Sequence, residues 1–269
     1  MSIVGNDVSE FQGQIDWNTY SKNSNFVIIR ATYGNGYLDK QFFRNRDEVR
    51  RVNLPHGFYH YCYPQYNSPI DEANWFLSQM NLQTGESLYL DFEENYSGDT
   101  VGWCKDFLDH VAQHLNGLKP MIYLNQSYMA LDWSSVVNAG YGLWLASYAP
   151  DGIGNTGTWK FMAMQQTTSS QQVPGVIGNM DRDVFFGDSK AFLAYGFTPP
   201  APTPPVIPTP TPPPVVVPPV TPQPPSVPPV TYPTPDYKPY MVRIKTAMAK
   251  GWFWIKLAAV NQIIKDSGV

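Results

Sequence analysis

Through the first 198 residues, short apolar runs alternate with longer segments in which apolar residues recur at helical spacing. The apolar runs predict strands at Ile3–Val8, Phe26–Ala31, Gly57–Tyr61, Ser87–Glu93, Pro120–Leu124, Leu143–Ser147, Phe161–Gln165 and Met180–Phe185. Between them, Asp16 precedes WNTYSK as a helix N-cap, and Asp71–Met80 follows Ser-Pro. Cys104, Phe107, Leu108, Val111 and Leu115 share one helical face. Strands alternating with helices imply parallel pairing through right-handed crossovers. About eight strands in this length suit a β/α barrel. The stretch from Ser147 to Phe161 is too poor in helix signals for a complete eightfold repeat.

The pattern stops at Pro199. Residues 199–235 carry no charge and hold 19 of the 26 prolines, which predicts a polyproline II spacer that would reach on the order of 100 Å if fully extended. Residues 236–269 return to helix-forming composition, with two short helices expected on either side of Gly251. About thirty residues bury too little surface to fold strongly alone. Tyr240, Trp252, Phe253 and Trp254 are therefore expected to be covered by a wall polymer, a membrane surface or a second copy of the segment. The domain reading is 1–198, 199–235 and 236–269.

Charge separates these parts. Residues 1–198 hold 12 bases against 20 acids, net −8, while residues 236–269 hold six bases against two acids, net +4. An acidic main domain offers no basic surface for phosphates, which argues against nucleic acid as substrate. Two cysteines, Cys62 and Cys104, make no disulfide framework and are expected as free buried thiols. The N-terminus MSIVGNDVSE has neither a basic region nor a long apolar run, so synthesis and retention in a cytosol are expected.

The run LYLDFEEN, Leu88–Asn95, places three carboxylates in an otherwise strand-like sequence. Side chains on a strand alternate between faces. Leu88, Leu90 and Phe92 should turn towards helices, and Tyr89, Asp91 and Glu93 into the barrel, the two acids roughly 7 Å apart. Glu94 should fall outside. Asp7 ends the first strand and Asp181 lies in the last. Four acids, Asp7, Asp91, Glu93 and Asp181, thus gather where β/α barrels place their chemistry.

Clustered carboxylates serve either a cation or acid chemistry. The four come from three strands rather than one tight loop, and His110 and His114 lack the acid of a zinc motif, so no metal and no cofactor is expected. His60 should point into the barrel as a hydrogen-bonding residue. No GxSxG, P-loop or GxGxxG sequence occurs. Paired carboxylates are the usual equipment for cleaving glycosidic bonds, with crowding raising the pKa of one member. Tyr61, Tyr63, Tyr123, Trp144, Tyr148 and Gln165 are candidate contacts for sugar rings.

DVSEFQGQIDW (Asp7–Trp17), IIRATYGNGYLDKQF (Ile28–Phe42), HGFYHYCYP, LYLDFEEN, KPMIYLNQSY, LWLASY and GNMDRDVF follow one another in the order and spacing of the family 25 glycoside hydrolases. The chain resembles these lysozymes over about residues 3–187. The resemblance implies a flattened, incomplete β/α (TIM-like) barrel and hydrolysis of the β-1,4 bond between N-acetylmuramic acid and N-acetylglucosamine in peptidoglycan. It implies Glu93 as general acid and Asp91 as the acid supporting the reacting sugar through its N-acetyl group. Asp7 and Asp181 match the further acids of the rim. Tyr33 stands where the family often has Glu, and Met164–Gln166 replaces a common WQY. The whole reads as a phage-type endolysin, waiting in a bacterial host cytosol for a membrane-opening partner such as a holin. A glucosaminidase or chitinase on a related barrel, or a wall-binding module without turnover, are the competing readings.

Overall fold

A computed structural model describes residues 2–148, 152 and 154–199. The expectations for the spacer and the basic segment lie outside these residues.

Among the described residues, nine strands form one sheet: β1 (Ile3–Val8), β2 (Val27–Tyr33), β3 (Tyr37–Leu38), β4 (His56–Tyr61), β5 (Ser87–Asp91), β6 (Met121–Asn125), β7 (Leu143–Ala146), β8 (Met164–Gln171) and β9 (Met180–Phe185). Their order is β1-β9-β8-β7-β6-β5-β4-β2-β3, and β1 also pairs with β2, so eight strands close into a barrel with β3 attached outside the ring. The helices are α1 (Trp17–Tyr20), α2 (Phe42–Arg51), α3 (Pro69–Ser78), α4 (Thr100–His114), α5 (Ser134–Asn138) and α6 (Ser189–Ala194). The expected β/α barrel is present. Its incompleteness lies in the helical layer, for the sheet itself closes.

Pairing is parallel from β1 through β2 and β4 to β8, as the alternation of strands and helices requires. The last strand departs from it. β9 runs antiparallel to both β8 and β1. A direct β8–β9 hairpin needs no crossover helix, whereas the helix-poor stretch Ser147–Phe161 lies in the connection between the parallel strands β7 and β8. The hairpin also brings the first residues of β9, not the last, to the rim where the parallel strands end.

Two apolar layers follow from strand periodicity. Ile28, Tyr59, Tyr89, Met121, Tyr123, Trp144 and Phe185 fill the barrel, and Phe192 of α6 closes its lower end with its ring centroid 4.7 Å from that of Phe26. Val27, Ile29, Phe58, Leu88, Leu90 and Phe92 face outward and pack with Phe76, Phe107, Leu108 and Val111 of the helices. Gly5 on β1 is required by crowding, since a Cβ there would lie 2.4 Å from the Phe26 carbonyl oxygen.

Helix ends obey their capping residues. Asp16 accepts from the amides of Asn18 and Thr19, Ser68 from that of Asp71, and Asp99 from that of Gly102. Strand β8 begins three residues later than the apolar pattern predicts. Met162 and Ala163 are buried in the approach to the strand rather than within it, and the polar run after Gln166 continues the hairpin. His60 also differs from expectation. It lies on the outer face of β4, fully buried, with its ring centroid 5.1 Å from that of Phe107. Its hydrogen-bonding role stands, with Thr32 Oγ1 and Glu72 Oε2 each 2.7 Å from a ring nitrogen. Cys62 and Cys104 are free and buried.

Candidate active site

Strand β5 ends in Asp91, and its neighbours fix how it ends. The Cys62 amide donates to the Asp91 carbonyl at 3.0 Å, and the Phe92 amide donates to the Tyr123 carbonyl at 3.1 Å. Asp91 is in register with Tyr61 on β4 and Tyr123 on β6. Its side chain points into a cleft of about 550 Å³ at the barrel mouth. Asp7, Glu93, Glu94, Tyr61, Tyr123, Trp144, Tyr148, Gln166 and Asp181 share that cleft.

The acids differ in environment. Asp91 is 8% exposed and its Oδ1 is buried without a hydrogen-bond partner. Burial, then the charges of Glu93 and Asp7, push its carboxyl well above the ordinary range. Glu93 has left the strand and is exposed at the mouth. Loss of hydration inside the cleft, with Asp181 and Glu94 close by, moves its pKa upward too. Asp7 is pushed up to about 8 by burial and by Asp181. Asp181, the second residue of β9, is half-buried, and burial raises its pKa while a hydrogen bond with Asp7 lowers it.

Gln166 organises the opposite wall. Its Nε2 donates to Asp7 Oδ2 at 3.0 Å, while its Oε1 accepts from Tyr123 Oη at 3.1 Å and from Tyr148 Oη at 2.7 Å. The bulky neighbour Trp144 is 2% exposed, and its ring centroid lies 4.7 Å from that of Tyr123. Tyr148 is 52% exposed and forms the open side of the wall.

Tyr63 and Gln165 do not line the cleft. Tyr63 packs its ring against Tyr33 and Tyr66. Gln165 is buried, and its Nε2 donates to the Ser147 carbonyl at 2.8 Å. Strand alternation explains the second case, because Gln166 takes the inward position and Gln165 the outward one. Glu94 is no bystander either. It accepts from Tyr61 Oη at 2.7 Å, and its carbonyl accepts from Tyr128 Oη at 2.8 Å.

Arg30 and Phe11 join the cleft without an obvious sequence signal. Arg30 is the one cationic side chain among the residues lining the cleft. It is tied to Asp39 at 2.8 Å and Glu10 at 3.2 Å, which keeps its charge beside the acids without pairing with them. Its guanidinium lies 5.0 Å from the ring centroid of Phe11, which is 81% exposed at the rim. Asp183, fully buried below Asp7, accepts from Trp144 Nε1 at 2.9 Å. Period two along MDRDVF places it on the face of Asp181, a signal as readable as the one that singles out Asp91 and Glu93.

A mouth lined by acids of different burial, with aromatic side chains at its edge, suits a neutral polyhydroxylated substrate. Residues 6–176 match the family model for glycosyl hydrolases family 25. The protein YegX of Escherichia coli K12 is 30% identical over 208 residues, covering 72% of this chain and 73% of YegX. Lysozyme M1 of Streptomyces globisporus is 27% identical over 216 residues, covering 71% of this chain and 70% of the lysozyme. The crystal structure of a bacterial lysozyme from Streptomyces coelicolor aligns with a TM-score of 0.65 at 25% identity, over 72% of this chain and 96% of that one. The chain belongs to glycosyl hydrolases family 25 and is a glycoside hydrolase.

Proposed function

We propose that the protein is a muramidase that hydrolyses the β-1,4 bond between N-acetylmuramic acid and N-acetylglucosamine in peptidoglycan. The observation that carries this reading is the division of labour between Asp91 and Glu93. One is buried at the end of β5 and the other is exposed at the mouth two residues later. Glu93, with its pKa moved upward, holds a proton for the leaving glycosidic oxygen. Asp91 lies deeper in the cleft wall, where its carboxyl accepts from the N–H of a substrate N-acetyl group. That contact turns the acetamido carbonyl oxygen towards the anomeric carbon, which it attacks as the glycosidic bond breaks. Water then opens the cyclic intermediate, and Glu93 takes the water's proton. Asp181 supplies negative potential opposite the developing positive charge, and Asp7 is hydrogen-bonded beside it. Tyr61 and Tyr148 form the surfaces against which sugar rings rest, with Tyr123 and Trp144 packed behind them.

The names of Lysozyme M1 and of the N,O-diacetylmuramidase of Chalaropsis, 26% identical over 151 residues, support this specificity. The deciding experiment digests peptidoglycan, reduces the products and identifies the reducing-end sugar by mass spectrometry. Reduced muramic acid is expected; reduced glucosamine would refute the muramidase. We further propose an endolysin role, with action on the wall after release from a bacterial cytosol by a holin. The net +4 of residues 236–269 favours anionic wall polymers. Deleting residues 199–269 should then weaken binding to whole cells more than cleavage of soluble fragments. Equal loss of both would remove the targeting role.

A further inference from the structure

Asp183 is a buried ionisable group that the proposed chemistry does not use. Its side chain is fully enclosed in the barrel, opposite Gly5 of β1 and Gln166 of β8. One oxygen, Oδ1, accepts from Trp144 Nε1 at 2.9 Å. The other, Oδ2, is buried with no N–H donor. An ionised carboxylate oxygen in such a place is costly.

The groups around it offer no remedy by charge. Asp7 on β1 and Asp181 on β9 are acids, and Tyr20, Tyr89 and Tyr148 are the phenols that feel its charge. None of them is a cation. Arg30, the cation of the cleft, is already engaged by Asp39 and Glu10. Asp183 is within hydrogen-bond reach of Asp7, and Asp7 in turn of Asp181. Two bare carboxylates in contact inside a barrel repel each other; one shared proton turns the contact into a bond.

We propose that Asp183 is a positioning residue for the reaction, a carboxylic acid that keeps its proton, donates its O–H to Asp7 and anchors the Trp144 indole through its carbonyl oxygen. The proton belongs on Asp183 because it is the more deeply enclosed of the pair, and because Asp7 already accepts from Gln166 Nε2. Burial, reinforced by the charge of Asp7, favours the neutral form of Asp183. Asp7 is thereby held between two donors, Gln166 from β8 and Asp183 from β9, and oriented towards Asp181 and the cleft. Trp144 is fixed against Tyr123, so a single buried acid sets both an acidic and an aromatic part of the wall.

This inference rests on the proposed muramidase reading for its activity readout, so its test includes one measurement that needs no substrate. Infrared spectra of the full-length protein and of Asp183→Asn are compared at neutral pH. The difference should contain the C=O stretch of a protonated carboxyl, and a difference without that band would overturn the proposal. In peptidoglycan digestion, Asp183→Asn should keep wild-type-level turnover, since Nδ2 donates to Asp7 and Oδ1 still accepts from Trp144. Asp183→Leu, which can do neither, should lose roughly tenfold or more, the scale of leaving buried polar groups without their partners. An Asn variant as impaired as the Leu variant, or a Leu variant as active as wild type, would equally overturn it. If Asp183→Leu fails to fold, the infrared band and the Asn variant decide. Failure of the muramidase reading shows separately, in the reducing-end sugar released by the wild type.

Discussion

Gln166 Nε2 donates to Asp7 Oδ2 at 3.0 Å, joining the eighth strand to the first across 159 positions of sequence. The same amide accepts from two tyrosines, so its orientation is fully specified and leaves Asp7 one fixed donor. Gln166→Leu removes that donor and frees Tyr123 and Tyr148. We predict a loss of roughly tenfold or more in kcat/KM on soluble glycan fragments, by the cost of leaving a buried acceptor without its donor. Because the Gln166 bond lowers the pKa of Asp7, the variant should also move the titration of Asp7 upward. A pH–rate profile coincident with that of the wild type would contradict the assignment.

Asp91 and Glu93 should respond differently to neutral isosteres. Glu93 is exposed, so Glu93→Gln leaves the fold intact while turnover falls by roughly 10²–10⁴, the usual contribution of a positioned acid. Asp91 keeps a buried oxygen without a partner, a cost that the fold bears for the site. Asp91→Asn should therefore melt at a higher temperature than the wild type and turn over far more slowly. Thermal denaturation and product release measured on the same samples check both halves. A variant less stable than the wild type would remove the argument from strain.

Much of this site is legible in the sequence because one rule, alternation along a strand, governs it. LYLDFEEN sends Leu88, Leu90 and Phe92 outward and Asp91 inward, as period two requires. The rule fails where strands end. Glu93 and Glu94 follow β5 in a loop, and both reach the cleft, so parity misplaces Glu94. His60 follows the rule against the sequence expectation: with Tyr59 and Tyr61 turned inward on β4, period two sends Phe58 and His60 outward, and a register shift on β2 between Arg30 and Thr32 lets Thr32 meet it. Gln166, Arg30 and Phe11 become visible only when distant segments meet, since no local pattern marks an amide or a rim phenylalanine as part of a site. The direction of β9 is likewise a property of closure. The hexapeptide MDRDVF reads the same whether it runs with or against its neighbours.

The pH dependence of stability follows from the raised pKa of Asp7. The folded value is about 8 against an ordinary 3.8, so above the lower value the unfolded chain releases a proton that the native protein keeps. Asp7 therefore subtracts stability progressively as pH rises from about 4 towards 8, and the protein should be more stable near pH 5 than near pH 8 in this respect. Asp7→Asn has no proton to lose. The melting temperature of the variant relative to the wild type should rise between these pH values, as read by calorimetry at several pH points. A gap that stays constant with pH would show that Asp7 titrates alike in both states.

Outside the barrel, Glu72 closes a polar network in which it and His60 are fully buried. Its carboxylate accepts from His60 Nε2 at 2.7 Å, from the Tyr63 amide at 3.0 Å and from Asn67 Nδ2 at 2.8 Å. With Thr32 Oγ1 donating to Nδ1, the imidazole carries its proton on Nε2 and gives it to Glu72, and burial favours this neutral ring. Replacing the acceptor by Leu strands one fully buried donor, His60, and two half-buried ones. Glu72→Leu should destabilise the protein by about 3–5 kcal/mol in urea unfolding, as expected for breaking a buried hydrogen-bonded pair from one side. The loop from Tyr63 to Asn67 is held to α3 by these bonds, and Tyr63 packs at 5.4 Å between ring centroids on Tyr33, which lines the cleft. The variant should accordingly raise KM more than it lowers kcat, because the edge of the cleft loosens while Asp91 and Glu93 keep their own supports on β5. A fall confined to kcat would place Glu72 in contact with the chemistry instead, against its position behind the sheet.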